Sequence, residues 1–249
     1  MSQLLRGAFT AIVTPFRADG ALDETALKAF VDWQLAEGID GLVPVGSTGE
    51  AVTMSLAERE RVVRIAAERA GGRVPVIGGA GSNDTAVAIT TGSVLAAAGA
   101  THLLHVSPMY NKPPQRGLLA HFRAIADAAD VPIVLYNVPG RTASNMLAET
   151  TLALAEHPNI VAVKEASGNP AQIDQIIRAR PAGFAVLSGD DGLTLPVMVS
   201  GGEGVISVVS NVVPKACAAF CAAIARGDLG AARDWHHRLA PLVDAAFVE

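Results

Sequence analysis

Short apolar runs alternate with longer amphipathic stretches along the chain. The short runs are rich in Val, Ile, Leu and Phe and are bounded by Gly, Pro, Asn or Ser. They read as strands at 8–13, 41–45, 74–78, 102–107, 132–136, 160–164, 184–188 and 204–207. The stretches between them carry apolar residues at helical spacing or are rich in Ala. They read as helices at about 23–37, 55–70, 83–98, 115–129, 144–156, 170–179, 191–200 and 211–226, with one more at about 229–248. Local signals agree with this division. Ser55, three residues ahead of Glu58, predicts a capping box. Gly38 and Gly99 stand where helices stop, and Asp190-Asp191 precede an apolar run as an N-cap would.

Eight β-then-α units in series, with no long linker or break in composition, predict a (β/α)8 TIM barrel. A doubly wound sheet uses the same units, but eight evenly spaced ones in 249 residues suit closure better. The expected division is a barrel domain over 1–227, followed by the start of a C-terminal helical extension over 228–249. Runs this apolar suit strands buried on both faces, as in a parallel sheet. Chemistry in such a barrel collects at the C-terminal ends of its strands.

Composition narrows the function classes. Half of the residues are hydrophobic, the net charge is −5, and acids and bases are interspersed, so there is no basic stripe for nucleic acid. The longest apolar stretches are broken by Gly, Thr or His well short of the ~20 residues that cross a membrane. The N-terminus, Met1-Ser2-Gln3-Leu4-Leu5-Arg6, lacks the apolar core of a signal peptide. Cys217 and Cys221 lie four apart on one helix and read as small core residues, not as a disulfide or metal pair. The expectation is a soluble, cytoplasmic protein.

The strand ends carry the candidate chemistry. The second strand ends in Gly46-Ser47-Thr48-Gly49-Glu50 and the fourth in Ser107-Pro108-Met109-Tyr110-Asn111. The fifth ends in Tyr136-Asn137-Val138-Pro139-Gly140-Arg141-Thr142, and the sixth ends at Lys164. The chain has only two tyrosines, and both fall at strand ends. A lysine at the mouth of a buried strand is partly desolvated, which lowers its pKa and leaves an amine able to attack a ketone. Such chemistry needs a carboxylate pocket and a proton shuttle. Gly46-Ser47-Thr48-Gly49 can offer backbone N–H groups and two hydroxyls. Tyr136 can relay protons, and Arg141 can hold a second carboxylate bidentately. Each residue also has a plain structural reading: a strand-end lysine reaching solvent, an ordinary turn, a half-buried tyrosine, a surface arginine.

Other constellations fail. His102 and His105 are three apart on a strand and point to opposite faces, and the adjacent His236-His237 pair diverges on its helix. Gly79-Ala80-Gly81-Ser82-Asn83-Asp84 lacks the third glycine of a dinucleotide fingerprint. No phosphate loop of the Walker type, zinc spacing or Gly-x-Ser-x-Gly elbow is present.

Gly46-Ser47-Thr48-Gly49-Glu50, Tyr136-Asn137-Val138-Pro139-Gly140-Arg141-Thr142 and Val163-Lys164-Glu165-Ala166 resemble the pyruvate-dependent class I aldolases of the dihydrodipicolinate synthase / N-acetylneuraminate lyase superfamily. The likeness runs in order over essentially the whole chain, through Ser188-Gly189-Asp190-Asp191 and Gly204-Val205-Ile206-Ser207. The arginine at 141 is typical of the dihydrodipicolinate synthase branch and is lacking in the sialic acid lyases. The resemblance implies that Lys164 forms a Schiff base with pyruvate, with no other cofactor. Thr48 and Ser47, with Gly46 and Gly49, would bind the pyruvate carboxylate, and the Ile206 carbonyl would line the same pocket. Tyr136, Ser47 and Tyr110 would form a hydroxyl relay. Tyr110 would come from a neighbouring subunit, so a homodimer or homotetramer is expected. Arg141 would bind the carboxylate of L-aspartate-4-semialdehyde. Condensation would give 4-hydroxy-tetrahydrodipicolinate, on the way to diaminopimelate and lysine.

Three positions depart from the branch. Ser47 replaces the usual relay threonine and is also the sialic-lyase version, so a sugar-acid substrate is the alternative aldol partner. Where lysine-sensitive members carry a histidine, a glutamate and a tyrosine, this chain has Leu56, Val87 and Met109, with Asn83 kept. Weak or absent inhibition by lysine is therefore expected. The family continues past Glu249 with a further helical segment, so a truncated extension is expected, with a non-catalytic barrel as the third reading.

Overall fold

The computed structural model describes residues 4–248. Eight parallel strands run β1 (Gly7–Ala11), β2 (Gly41–Val43), β3 (Ile77–Gly79), β4 (His102–Val106), β5 (Ile133–Asn137), β6 (Ile160–Glu165), β7 (Ala185–Ser188) and β8 (Gly204–Ser207). Their hydrogen-bonded order is β2-β1-β8-β7-β6-β5-β4-β3. A parallel bridge between Leu42 and Val76 joins the two ends, and Leu42 N donates to Pro75 O (3.0 Å), so the sheet closes into a (β/α)8 barrel.

The main helices between them are α1 (Glu24–Ala36), α2 (Leu56–Ala70), α3 (Thr85–Ala97), α4 (Gln115–Ala128), α5 (Pro139–Thr142), α6 (Ala148–Ala155), α7 (Pro170–Ala179), α8 (Thr194–Val199) and α9 (Pro214–Ala225). A tenth, α10 (Leu229–Ala246), packs on α9. The capping box expected at Ser55 is formed with Glu58 at the start of α2, with Ser55 N donating to Glu58 Oε2 at 2.8 Å. Gly38 and Gly99 follow α1 and α3 in the left-handed region at φ 84° and 104°. Asn169 Oδ1 accepts from Ala171 N and Gln172 N at the start of α7, and Pro170 fills the first helical position.

The core has two layers. An inner cluster inside the barrel includes Phe9, Ile77, Leu104, Val134, Tyr136, Leu187 and Ile206. An outer layer between strands and helices includes Leu27, Ile65, Leu118, Phe122 and Ile173. Several inward positions near the C-terminal mouth are small, among them Ala11, Gly79 and Gly81, and they leave a cleft there.

Some bounds differ from the sequence reading, each for a local reason. β2 ends at Val43 because Pro44 has no N–H for the ladder and Val45 turns to φ 52°. β3 spans Ile77–Gly79 and not 74–78, since Pro75 offers no donor and Val76 N donates to Thr101 Oγ1 at 3.0 Å. Pro139–Thr142, directly after β5, form the one-turn helix α5, stopped by Ala143 in the left-handed region at φ 57°. α6 accordingly starts at Ala148 and not at 144. The aspartates split their roles. Asp190 Oδ1 caps a short 3-10 turn by accepting from Gly192 N (2.9 Å), whereas Asp191 is buried and accepts from Val208 N (2.8 Å) instead of capping.

Cys217 and Cys221 are free and buried on α9, as expected, and burial pushes the Cys217 thiol up to about 12. Among the described residues no helix is long and apolar enough to cross a membrane, and no cluster of three or more His, Cys, Asp or Glu could hold a metal.

Candidate active site

Lys164 and Tyr136 are register partners on β6 and β5, so both point to the barrel interior near its C-terminal mouth. Lys164 Nζ lies 4.3 Å from the centroid of the Tyr136 ring. Lys164 is 6% exposed. Burial lowers its pKa to about 8, the nearby Arg141 charge pushes in the same direction, and Asp191 opposes them. Among the described residues no carboxylate pairs with the ammonium within salt-bridge distance. Burial raises the Tyr136 hydroxyl pKa, against the pull of Arg141. The site thus has an amine with ready access to its neutral form, beside a hydroxyl that keeps its proton.

The room for that lysine comes from Gly189, just past β7. A Cβ at this position would stand 2.7 Å from Ala166 Cβ, 3.0 Å from Lys164 Cε and 3.1 Å from Lys164 Cγ. Only a residue without a side chain leaves the lysine stem where it is.

The β2 turn forms the facing wall. It is closed by backbone bonds, Gly49 N to Gly46 O (3.1 Å), Glu50 N to Ser47 O (3.1 Å) and Ala51 N to Gly46 O (3.3 Å). Val45 and Glu50, in the left-handed region at φ 52° and 60°, flank it. The Ser47 and Thr48 side chains take no part in closing the turn and line the cleft with Gly46. Arg141 enters the same cleft from α5.

The cleft has a volume of about 380 Å³ and brings together Gly46, Ser47, Thr48, Tyr136, Arg141 and Lys164. Gly49 and Ile206 stand behind its lining. The Gly49 carbonyl accepts from Thr14 Oγ1 at 2.7 Å, and the Ile206 side chain packs in the inner core. Tyr110 lies outside the cleft of its own chain, 90% exposed and held at φ 73°.

Sequence reasoning passed over four residues that bear on the site. Gly189 and Asp191 act through elements remote in sequence. Arg59 of α2 lines the cleft with its Nε buried and unpartnered. Glu165 is fully buried behind Lys164. The missed signal for Glu165 was its place next to the lysine, since a carboxylate in a buried strand must be answered by donors.

The chain matches the Dihydrodipicolinate synthetase family over residues 4–249. The 4-hydroxy-tetrahydrodipicolinate synthase of Maridesulfovibrio salexigens is 51% identical over 245 residues, covering 98% of this chain and 84% of that protein. The crystal structure of dihydrodipicolinate synthase from Thermotoga maritima superposes with a TM-score of 0.97 at 42% identity, covering 99% of this chain and 85% of that one. A structure described as the chloride-inhibited dihydrodipicolinate synthase from Acinetobacter baumannii complexed with pyruvate superposes at 0.96 with 40% identity, covering 98% and 84%. With a family match over nearly its full length and relatives this similar, the chain belongs to the dihydrodipicolinate synthetase family.

Proposed function

We propose that the chain is a Schiff-base lyase of the 4-hydroxy-tetrahydrodipicolinate synthase type, condensing pyruvate with L-aspartate-4-semialdehyde on the way to diaminopimelate and lysine. The observation that carries this is Lys164: a buried amine with a pKa of about 8, over the Tyr136 ring, in a cleft that also holds Arg141 and the Ser47-Thr48 turn.

The neutral Lys164 amine attacks the ketone carbon of pyruvate to give a carbinolamine. Tyr136 relays the protons that let water leave and the imine form. The pyruvate carboxylate lies against the β2 turn, where Ser47 and Thr48 hydroxyls and backbone N–H groups donate to it. The protonated imine serves as the electron sink, so loss of a methyl proton gives the enamine without a metal or organic cofactor. The enamine carbon then bonds to the aldehyde carbon of the second substrate, whose carboxylate is held by the Arg141 guanidinium. The substrate's own amino group attacks the imine carbon and displaces Lys164. This closes the heterocycle and regenerates the free lysine.

Tyr110 completes the relay from a neighbouring subunit. An exposed aromatic held at positive φ, outside its own cleft, supports that reading. The working form is then at least a homodimer, acting in the cytoplasm.

Incubation with pyruvate, reduction with borohydride and peptide mass mapping test the assignment. The expected adduct is on Lys164. An unmodified Lys164 after reduction would remove the basis for this function.

A further inference from the structure

Behind the cleft, on the outward face of β5 and β6, lies a buried polar network with no part in the chemistry above. Tyr136 and Lys164 are one register pair and point inward, while the next pair, Asn137 and Glu165, points outward. Both Asn137 and Glu165 are fully buried. Asn137 Nδ2 donates to Glu165 Oε1 (3.2 Å) and Oε2 (3.1 Å), Ser167 N donates to Oε1 (2.7 Å), and Gln172 Nε2 donates to Oε2 (3.4 Å). Every group aimed at this carboxylate is a donor.

The same amides grip residues 145–147. Asn137 Oδ1 accepts from Met146 N (2.9 Å), and its Nδ2 donates to Asn145 Oδ1 (2.8 Å). Gln172 Oε1 accepts from Asn145 Nδ2 (2.8 Å). From α4, Gln115 Nε2 donates to Asn145 O (2.9 Å), and its Oε1 accepts from Leu147 N (3.2 Å). Arg141 lies on α5, between Asn137 and Asn145, so both flanks of its short segment are tied to this network. Within the segment, Thr142 Oγ1 donates to Ser144 O (2.9 Å) and carries the hold up to the arginine's neighbour.

We propose that Glu165, acting through Asn137, Asn145, Gln172 and Gln115, is a positioning residue for Arg141 and so determines how the carboxylate of the second substrate is bound. The proposal rests on the roles assigned above to Lys164 and Arg141. Its physical basis is preorganisation. Arg141 is exposed on a four-residue helix, so its aim depends on what fixes the two ends of that segment. A buried carboxylate that accepts several donors fixes them more firmly than neutral pairs would.

Glu165→Gln tests it, because the amide keeps the volume but turns an NH2 group toward donors. The pyruvate adduct on Lys164 should form at a rate within about twofold of the parent. The KM for aspartate semialdehyde should rise by about tenfold or more, the loss expected of one hydrogen bond to a charged group. In an Arg141→Ala background the same substitution should add less than about twofold, because its target is already gone. An unchanged aldehyde KM, a parallel fall in adduct formation, or full additivity with Arg141→Ala would overturn the proposal. Should Glu165→Gln not fold, Asn145→Ala carries the same expectations. An unsubstituted protein that forms no pyruvate adduct would instead refute the nucleophile assignment, which separates the two failures.

Discussion

Raising the pH should switch on imine formation well before an ordinary lysine loses its proton. Lys164 has a pKa of about 8 against the usual 10.5, chiefly because its ammonium is buried. At pH 7 about one molecule in ten then carries a neutral amine, against roughly one in 3,000 for an unperturbed lysine. That difference, about 300-fold in nucleophile, is what burial contributes to the first step. The rate of borohydride trapping with pyruvate, measured from about pH 6 to 10, should rise tenfold per unit and level off near 8.

Stability follows the same shift, with a definite sign. The folded value is depressed, so between about 8 and 10.5 the unfolded chain binds more protons and stability increases with pH. Below that window the buried ammonium costs the folded state about 3 kcal/mol. Lys164→Met should recover much of this at pH 7, seen as a higher urea midpoint in a protein that no longer traps pyruvate. A trapping inflection above about 9.5, or a Lys164→Met protein no more stable than the parent at pH 7, would refute the reasoning.

Three further outcomes are expected. Gly189→Ala should slow pyruvate trapping about tenfold or more, because a Cβ 3.0 Å from Lys164 Cε displaces the stem; trapping at the parental rate in a folded variant would show that the stem yields without cost. Tyr110→Phe and Lys164→Met, each with impaired turnover, should complement when dissociated, mixed and reassembled. The hybrid offers one intact site, so about a quarter of the parental rate should return, and no recovery would remove Tyr110 from the partner's site. Added lysine at sub-millimolar concentration should leave the rate unchanged. Leu56 and Val87 present apolar side chains to solvent, and Asn83 Nδ2 donates to Met109 O at 3.2 Å; inhibition at that concentration would contradict this reading.

The barrel was legible because its strands are dense in aliphatic residues and its helices carry their own stop and start signals. Ser55 with Glu58 is the clearest case, since the cap is formed by residues three apart. Lys164 and Tyr136 could be placed at the mouth for the same reason: a strand end is a local property. What escaped was set by partners far along the chain. Gly189 looks like any loop glycine until Lys164, 25 residues earlier in sequence, is seen beneath it. Asp191 reads as a cap and is instead taken by the backbone of Val208 and Val209. The helical turn at Pro139–Thr142 was hidden by its Pro-Gly pair, which suits a turn and a first helical position equally. Pro44 and Pro75 shortened strands that propensity alone would extend.

The short helix that carries Arg141 has a consequence for inheritance. In the proposed mechanism the keto acid is activated by a lysine on β6 and seated against the turn after β2, whereas the acceptor aldehyde is met by residues after β5. Selectivity for the acceptor is thus written on a separate, replaceable piece of chain. A descendant could exchange that piece and take a different aldehyde while keeping the same covalent step. Loss of Lys164 would end every such lineage at once, and change at residue 141 would merely redirect it.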